Sequence, residues 1–445
     1  MKKFHYNIQN LLFCSILAIT FSSVVTEVNS QSLTSLEKGR AKDMLNAVKN
    51  EVKNNYYDKT YHGVDLDKSF KIAESKIETA TSLGQTYGII AQAVLELNDS
   101  HTSFYPPSRA SRFEYGWRMQ MIGDKCFVVA VKANSDAANV GLKVGDELIK
   151  IEGFKPTRKE MWKINYYYNA LSPRVNVNIL VKSPSDKDSR ELNITTKVTQ
   201  LKKSLNIADL IREFEINEGY ESENRFINVG NTAIWKMPTF SIDPARISDL
   251  MNEVKNSSNL ILDLRGNGGG YVVTLEQLTG YFVENDTKIA DLKGRKEMKP
   301  QLAKTKGKSV YKGNLIVLID SNSGSASEIF ARFVQLEKRG VVLGDVSAGA
   351  VMQSRGVPMK IITGIQDEYK PYYMSITNAD VIMSDGISLE HNGVTPQLIL
   401  IPTAEDLFMQ RDPVLSTALK LFNHTITPEV AGSYFPFKWE SRFRI

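Results

Sequence analysis

Two segments of this 445-residue chain end an apolar run in glycines and small hydroxyl residues. The first reads Leu260-Ile261-Leu262-Asp263-Leu264-Arg265-Gly266-Asn267-Gly268-Gly269-Gly270. The second reads Leu315-Ile316-Val317-Leu318-Ile319-Asp320-Ser321-Asn322-Ser323-Gly324-Ser325-Ala326-Ser327-Glu328. A buried strand that stops at glycines and turns into a helix leaves bare backbone N–H groups and a serine Oγ at a sheet edge. Acyl transfer needs those two things, a nucleophile and donors for a developing oxyanion. If the two loops meet in space, the chemistry is that of a serine hydrolase.

A serine nucleophile also needs a base. There are five histidines: His5, His62, His101, His391 and His424. His5 lies in a leader-like segment, His62 in the polar turn Tyr61-His62-Gly63, and His424 in the C-terminal tail. His101, after Ser100, and His391, after Glu390, remain. One of these two segments would supply the base and the other a carboxylate to orient it.

The elements that must position these residues fall into three stretches. Residues 33–105 carry helical periodicity, with Leu36, Ala41, Met44, Leu45, Val48 and Val52 on one face of a first helix. Further helices are expected over 66–80 and 85–97, and the loop from Asn98 to Pro107 follows. Residues 113–200 turn to β character, with strands around 127–131, 175–181 and 192–198 and a polar hairpin tip at 183–188. From about 225 strands and helices alternate, the pattern of an α/β unit whose last helix spans 413–422.

Composition narrows the function classes. The apolar fraction is 42%, enough for globular cores, and the net charge of +5 is spread among interspersed charges of both signs. That leaves no nucleic-acid footprint. Met1-Lys2-Lys3, the apolar run from Leu11 to Val25 and the small residues Val28-Asn29-Ser30 read as a secretory signal peptide cut before Gln31. The protein is therefore expected to be exported, periplasmic or extracellular, with no stable membrane span after cleavage. Of the two cysteines, Cys14 leaves with the leader, and Cys126 alone can form neither an internal disulfide nor a cysteine metal cluster.

The two glycine-rich segments, with Ser135–Gly153 upstream, resemble the S41 family of serine peptidases. This family includes carboxyl-terminal processing proteases and the tricorn core protease. The upstream segment is similar to a PDZ domain in its helix, glycine and strand order. The resemblance implies a signal peptide at 1–30 and a helical N-terminal domain at 31–110. A PDZ-like β module at 113–200, a ClpP/crotonase-like α/β catalytic domain at 205–424 and a tail at 425–445 would follow. One S41 branch uses a lysine base in a segment that here reads Val346-Ser347-Ala348-Gly349-Ala350-Val351-Met352-Gln353, with Ala350 at the lysine position. The tricorn-like branch uses a Ser-His pair and a late Glu, which Ser100-His101 and Glu390 match.

By that resemblance Ser325 is the nucleophile and His101 the base, with Ser100 and Glu390 orienting and polarising the imidazole. Ala326 and Gly269 would supply the oxyanion N–H groups. Asp263 and Arg265 are expected to tie their loop by an ion pair. Tyr115, Gly116, Trp117 and Arg118 would form the peptide-binding edge of the β module, which takes peptides by strand addition. No metal or cofactor is implied, and the partners are peptide or protein substrates. The competing readings are a non-catalytic peptide-binding relative of the same fold and an esterase on the same machinery.

Overall fold

The computed structural model describes residues 33–439 except 108, 110, 201–222 and 363–368. The expected leader and its cleavage point lie outside those residues, as does the expected domain start at 205.

Three helices open the fold: α1 (Ser35–Asn55), α2 (Leu66–Thr79) and α3 (Leu83–Leu95). Thr34, Asp65 and Ser82 cap them, each accepting a backbone N–H from the first turn. Their apolar faces do not close a core alone. Val48, Ile77 and Ile90 pack with Phe104 and with Tyr372, Met374 and Ile376, which come from a strand far along the chain.

The short strands β1 (Ser103–Tyr105) and β2 (Ser111–Glu114) lead into an antiparallel β module. It comprises β3 (Trp117–Ile122), β4 (Lys125–Val131), α4 (Asp136–Asn139), β5 (Glu147–Ile151), α5 (Arg158–Tyr166), β6 (Asn176–Lys182) and β7 (Arg190–Thr195). The sheet order β3-β4-β5-β6-β7 leaves β3 at an edge. Gly116, at φ +75°, starts β3, and a Cβ there would meet Ser135 Cβ at 2.6 Å. Helix α5 lies in a stretch whose sequence reads as β. Its Trp, Ile and Tyr content has weak helix propensity, but Met161 and Ile164 bury on the module core and hold it helical. The polar hairpin tip also carries more than a turn, since Ser183 and Arg190 bind the buried Asp146 carboxylate.

After β8 (Lys197–Gln200) come β9 (Arg225–Val229), β10 (Thr232–Lys236), α6 (Arg246–Val254), β11 (Asn259–Asp263), α7 (Val272–Thr279), β12 (Thr287–Gly294), β13 (Gln301–Ala303), β14 (Asn314–Ile319), α8 (Ala326–Leu336) and β15 (Val341–Gly344). A hairpin of β16 (Met352–Ile362) and β17 (Tyr369–Met383) follows, then β18 (Leu398–Ile399), α9 (Ala404–Phe408), α10 (Pro413–Leu421) and α11 (Pro428–Gly432).

The main sheet runs β18-β15-β14-β11-β10-β9, parallel except for β9. Strands β11 and β14 are apolar on both faces because both faces are covered. Leu260, Leu262, Leu315 and Val317 pack with the helices on one side, and Ile261, Ile316 and Leu318 with α10 on the other. Strand β17 is the seam of a separate sheet, pairing with β1, β12 and β16. Through Ser103↔Ser375 it brings the segment after His101 against the catalytic half of the chain.

Candidate active site

Strands β11 and β14 are neighbours in register, so the loops at their C-terminal ends meet. Ser325 stands at the turn from β14 into α8 with φ +52° and ψ −117°. That conformation is sterically costly for a residue with a Cβ and persists only where surroundings enforce it. The Ser325 N–H donates to Glu328 Oε2 and to the Ala350 carbonyl, each at 2.9 Å. Glycine faces it on the other side. Gly269 sits at φ +102°, and a Cβ there would lie 2.6 Å from Ser325 Cβ.

The base candidate reaches the candidate nucleophile. His101 Nε2 is 3.3 Å from Ser325 Oγ. On the other side of the ring, Nδ1 is 2.8 Å from Ser100 Oγ, which donates to Glu390 Oε2 at 2.9 Å. Glu390 is fixed in turn by the Ser100 N–H at 2.8 Å and the Val351 N–H at 2.8 Å. Asp99 shapes the loop, its Oδ1 accepting the N–H groups of His101 and Thr102 and the Thr377 hydroxyl. Burial lowers the His101 pKa below the ordinary 6.5, against the opposing charges of Glu390 and Asp99. The ring is then neutral at neutral pH, the form a base requires.

The other serines are engaged elsewhere. Ser323 Oγ donates to the Leu264 carbonyl at 2.9 Å, Ser327 Oγ to the Asn267 carbonyl at 2.7 Å, and Ser321 to the Met121 carbonyl. Ala350 contributes only backbone, and the lysine on the cavity wall, Lys159, belongs to the β module.

Of the two N–H groups expected to face an oxyanion, that of Gly269 is engaged within the protein, donating to Asn267 Oδ1 at 2.9 Å. The preceding Gly268 lines the cavity beside Gly324 and has no protein partner for its N–H among the described residues. Asn267 is buried and also donates to the Met237 carbonyl, so it spends its side chain shaping the glycine turn. Ala326 is the first residue of α8, where an N–H has no partner within the helix.

Asp263 and Arg265 form an ion pair at the end of β11. Arg265 donates to both Asp263 oxygens and clasps Asp412, the N-cap of α10, through 3.0 and 2.7 Å bonds. Burial pushes the Asp263 carboxyl up, but Arg265 and Lys236 hold it well below the usual range.

Glu328 was legible only as a favourable charge at a helix N-terminus. It is fully buried and accepts four bonds, from the Ser325, Gly349 and Ala350 N–H groups and the Ser347 hydroxyl. Burial pushes its carboxyl up to about 7, with all four donors pulling the other way. A Glu three residues after a serine N-cap was the available signal.

A cavity of about 800 Å³ joins these loops to the β module. Ser100, His101, Gly268 and Gly324 line one end, and Tyr115, Trp117, Arg118 and Trp162 the other. Of the four expected peptide-binding residues, Gly116 does not line it, because it packs beneath Ser135. The free side of β3 rests on the nucleophile loop through Gln120 and Asp320, 2.7 Å apart. Arg158, at the start of α5, binds Asp345 and the Val346 carbonyl beyond β15. Among the described residues no cluster of His, Cys, Asp and Glu is arranged to hold a metal.

Residues 231–400 match the model of peptidase family S41. The stretch from β10 to β18 is similar to that family. The chain is 26% identical over 312 residues to the carboxy-terminal processing protease CtpB of Bacillus subtilis, covering 66% of this chain and 60% of that protein. It is 24% identical to the tail-specific protease of Haemophilus influenzae, covering 66% of this chain and 42% of that protein. It thus spans less than two thirds of the length of these two relatives. Among solved structures, mature CPAF superposes with a TM-score of 0.62 at 16% identity, over 84% of this chain and 95% of that one. The photosystem II D1 C-terminal processing protease gives 0.50 at 17% identity, over 84% and 94%. The mixed α/β multidomain fold is therefore similar to that of these two structures. No helix among the described residues is long and apolar enough to cross a membrane.

Proposed function

We propose that this chain is an exported serine endopeptidase that cleaves peptide bonds through an acyl-enzyme, with Ser325 as nucleophile and His101 as base. One observation carries the reading: His101 Nε2 lies 3.3 Å from Ser325 Oγ while its Nδ1 is held by Ser100 and, through it, Glu390. The separation is at the long end of a hydrogen bond, as catalytic pairs without substrate often are.

Ser325 Oγ attacks the scissile carbonyl and passes its proton to His101 Nε2. The imidazolium keeps its Nδ1–H on Ser100 Oγ, whose own proton points to the Glu390 carboxylate, so charge on the ring is opposed without a second proton transfer. The oxyanion meets the N–H groups of Ala326 and Gly268. His101 then gives the proton to the leaving amine. Water, activated by the same imidazole, attacks the ester and releases the acyl product.

The β module acts as a PDZ-like clamp. A peptide laid along the first half of β3, before Gln120 and Met121 meet the Ser325 loop, runs toward the catalytic end of the cavity, with Trp117, Arg118 and Met119 and, from α5, Met161 and Trp162 lining its path. The Gln120–Asp320 contact couples that edge to the loop that carries the nucleophile.

The test is a comparison of peptide pools exposed to the intact protein and to Ser325→Ala, read by mass spectrometry. New termini that need Ser325 support the reading. Identical pools favour a peptide-binding protein without catalysis, and hydrolysis confined to short esters favours the esterase.

A further inference from the structure

Two histidines outside the relay converge on the segment that carries the base. After α3 the chain reaches His101 through Leu97, Asn98, Asp99 and Ser100. The Leu97 carbonyl is 2.7 Å from His62 Nδ1. The next carbonyl, that of Asn98, is 2.9 Å from His391 Nε2. Two consecutive peptide carbonyls are thus each met by an imidazole, one from the turn after α1 and one from the loop after β17.

Each contact requires a proton on the nitrogen concerned, because a carbonyl oxygen only accepts. That fixes both tautomers. His62 carries its proton on Nδ1, leaving Nε2 to accept from the Tyr57 hydroxyl at 2.7 Å. His391 carries its proton on Nε2, and its own N–H donates to the Gly349 carbonyl at 2.8 Å. Both histidines sit at positive φ, 52° and 62°, a conformation that non-glycine residues adopt at a cost. Asn98 between them has φ +52°. The carboxylates near the two rings are Asp58, 3.9 Å from His62 Nε2, and Glu390, 3.8 Å from His391 Nε2.

We infer that His62 and His391 are positioning residues of the same reaction, suspending the 97–101 segment from both sides so that His101 faces Ser325. The inference rests on the reading of His101 as the base. His62 joins the N-terminal helices to this segment, and His391, one residue after Glu390, joins the acid that ends the relay to it. Loss of either N–H frees one carbonyl and lets the base drift. A displacement on the order of 1 Å at a reacting group costs up to about 10²-fold in rate, and loss of one of two anchors allows a part of that drift, so roughly tenfold per histidine is expected.

The experiment compares donor-retaining with donor-lacking replacements in the full chain. Gln places an amide N–H where His391 Nε2 stands, and Met matches Gln in length without the donor. Asn does the same for His62 Nδ1, with Leu as its apolar counterpart. Turnover of a cleaved peptide, fluorophosphonate labelling rate at Ser325 and Tm are measured for each. His391→Met and His62→Leu should lose about tenfold in kcat and in labelling rate, with KM within about twofold. His391→Gln and His62→Asn should recover to within about threefold. Wild-type kcat in the donor-lacking pair, equal losses in both pairs, or a loss confined to KM would overturn the inference. Should His62→Leu unfold, the His391 pair decides. Absence of labelling in the wild-type chain would instead count against Ser325 as nucleophile, which separates the two failures.

Discussion

Glu328 Oε2 accepts the N–H of Ser325 at 2.9 Å and that of Ala350 at 3.0 Å. One buried oxygen therefore ties Ser325, in the turn after β14, to Ala350, in the loop after β15. The other oxygen takes Ser347 and Gly349. With no cation among its four partners, this carboxylate works as a staple between two loops, and it is what keeps Ser325 at its strained φ.

Replacing Glu328 by Gln keeps the size but turns one oxygen into an NH₂ facing two donors. Two N–H or O–H groups then lose their acceptor in a buried site, at about 1–3 kcal/mol each. Glu328→Gln should lower Tm by several degrees and labelling at Ser325 by about tenfold or more. Wild-type labelling in a folded Glu328→Gln protein would show that the staple is dispensable.

The pH profile should carry two acid-side events. The imidazole is active when neutral, so activity is lost as pH falls through the His101 pKa, which burial places below 6.5. Glu328 takes up a proton as pH falls through about 7, and one of its four donors then lacks an acceptor. Log kcat/KM should therefore begin to fall near pH 7 and steepen below 6.5, to a slope above one. Glu328→Gln should restore a slope near one. A single ionisation with unit slope in the wild type would remove Glu328 from the profile.

Ser325→Ala should abolish fluorophosphonate labelling with Tm little changed, since the contact of Oγ with the imidazole is a long one at 3.3 Å. Ser323→Ala and Ser327→Ala should do the reverse. Each removes a buried hydroxyl bonded to a loop carbonyl, at about 1–2 kcal/mol, and leaves the nucleophile in place. Labelling is scored by intact mass and stability by thermal melts.

Arg265→Met should be among the most destabilising single changes in the catalytic half. It leaves Asp263 fully buried with only Lys236 opposite it and releases the N-cap of α10. A loss of about 3–5 kcal/mol is expected from breaking a buried pair on one side. Asp412→Asn, which keeps a capping oxygen, should cost less. Urea midpoints of the two variants give the comparison.

Much of the site could be read because its chemistry is local. Ser325 with its glycines and apolar strand is one contiguous word, as are Ser100-His101 and the run around Glu390. Assembly of these words came from the family likeness, since no spacing links residue 101 to residue 325. That the Gly269 N–H is taken by Asn267 was not legible, because which of three adjacent glycines keeps its N–H free depends on where the Asn267 side chain turns. His62 was set aside as a polar turn. Only the packing of α1 against the end of α3 brings it to Leu97. The hairpin of β16 and β17 carries Pro358 and Pro371, which interrupt strand patterns, and its partners β1 and β12 are distant in sequence. Its pairing is a tertiary fact and leaves little local trace.

The relay from Ser100 to Glu390 spans 290 residues of chain. A polypeptide made from its N-terminus displays His101 long before Ser325, and Glu390 comes later still. Any fragment that ends before residue 390 holds an imidazole without the Glu390 carboxylate and a segment without its second anchor. Closing so long a loop is also slow compared with forming helices or hairpins. The order of synthesis thus leaves the contact between Ser100 and Glu390 unmade until residue 390 has emerged.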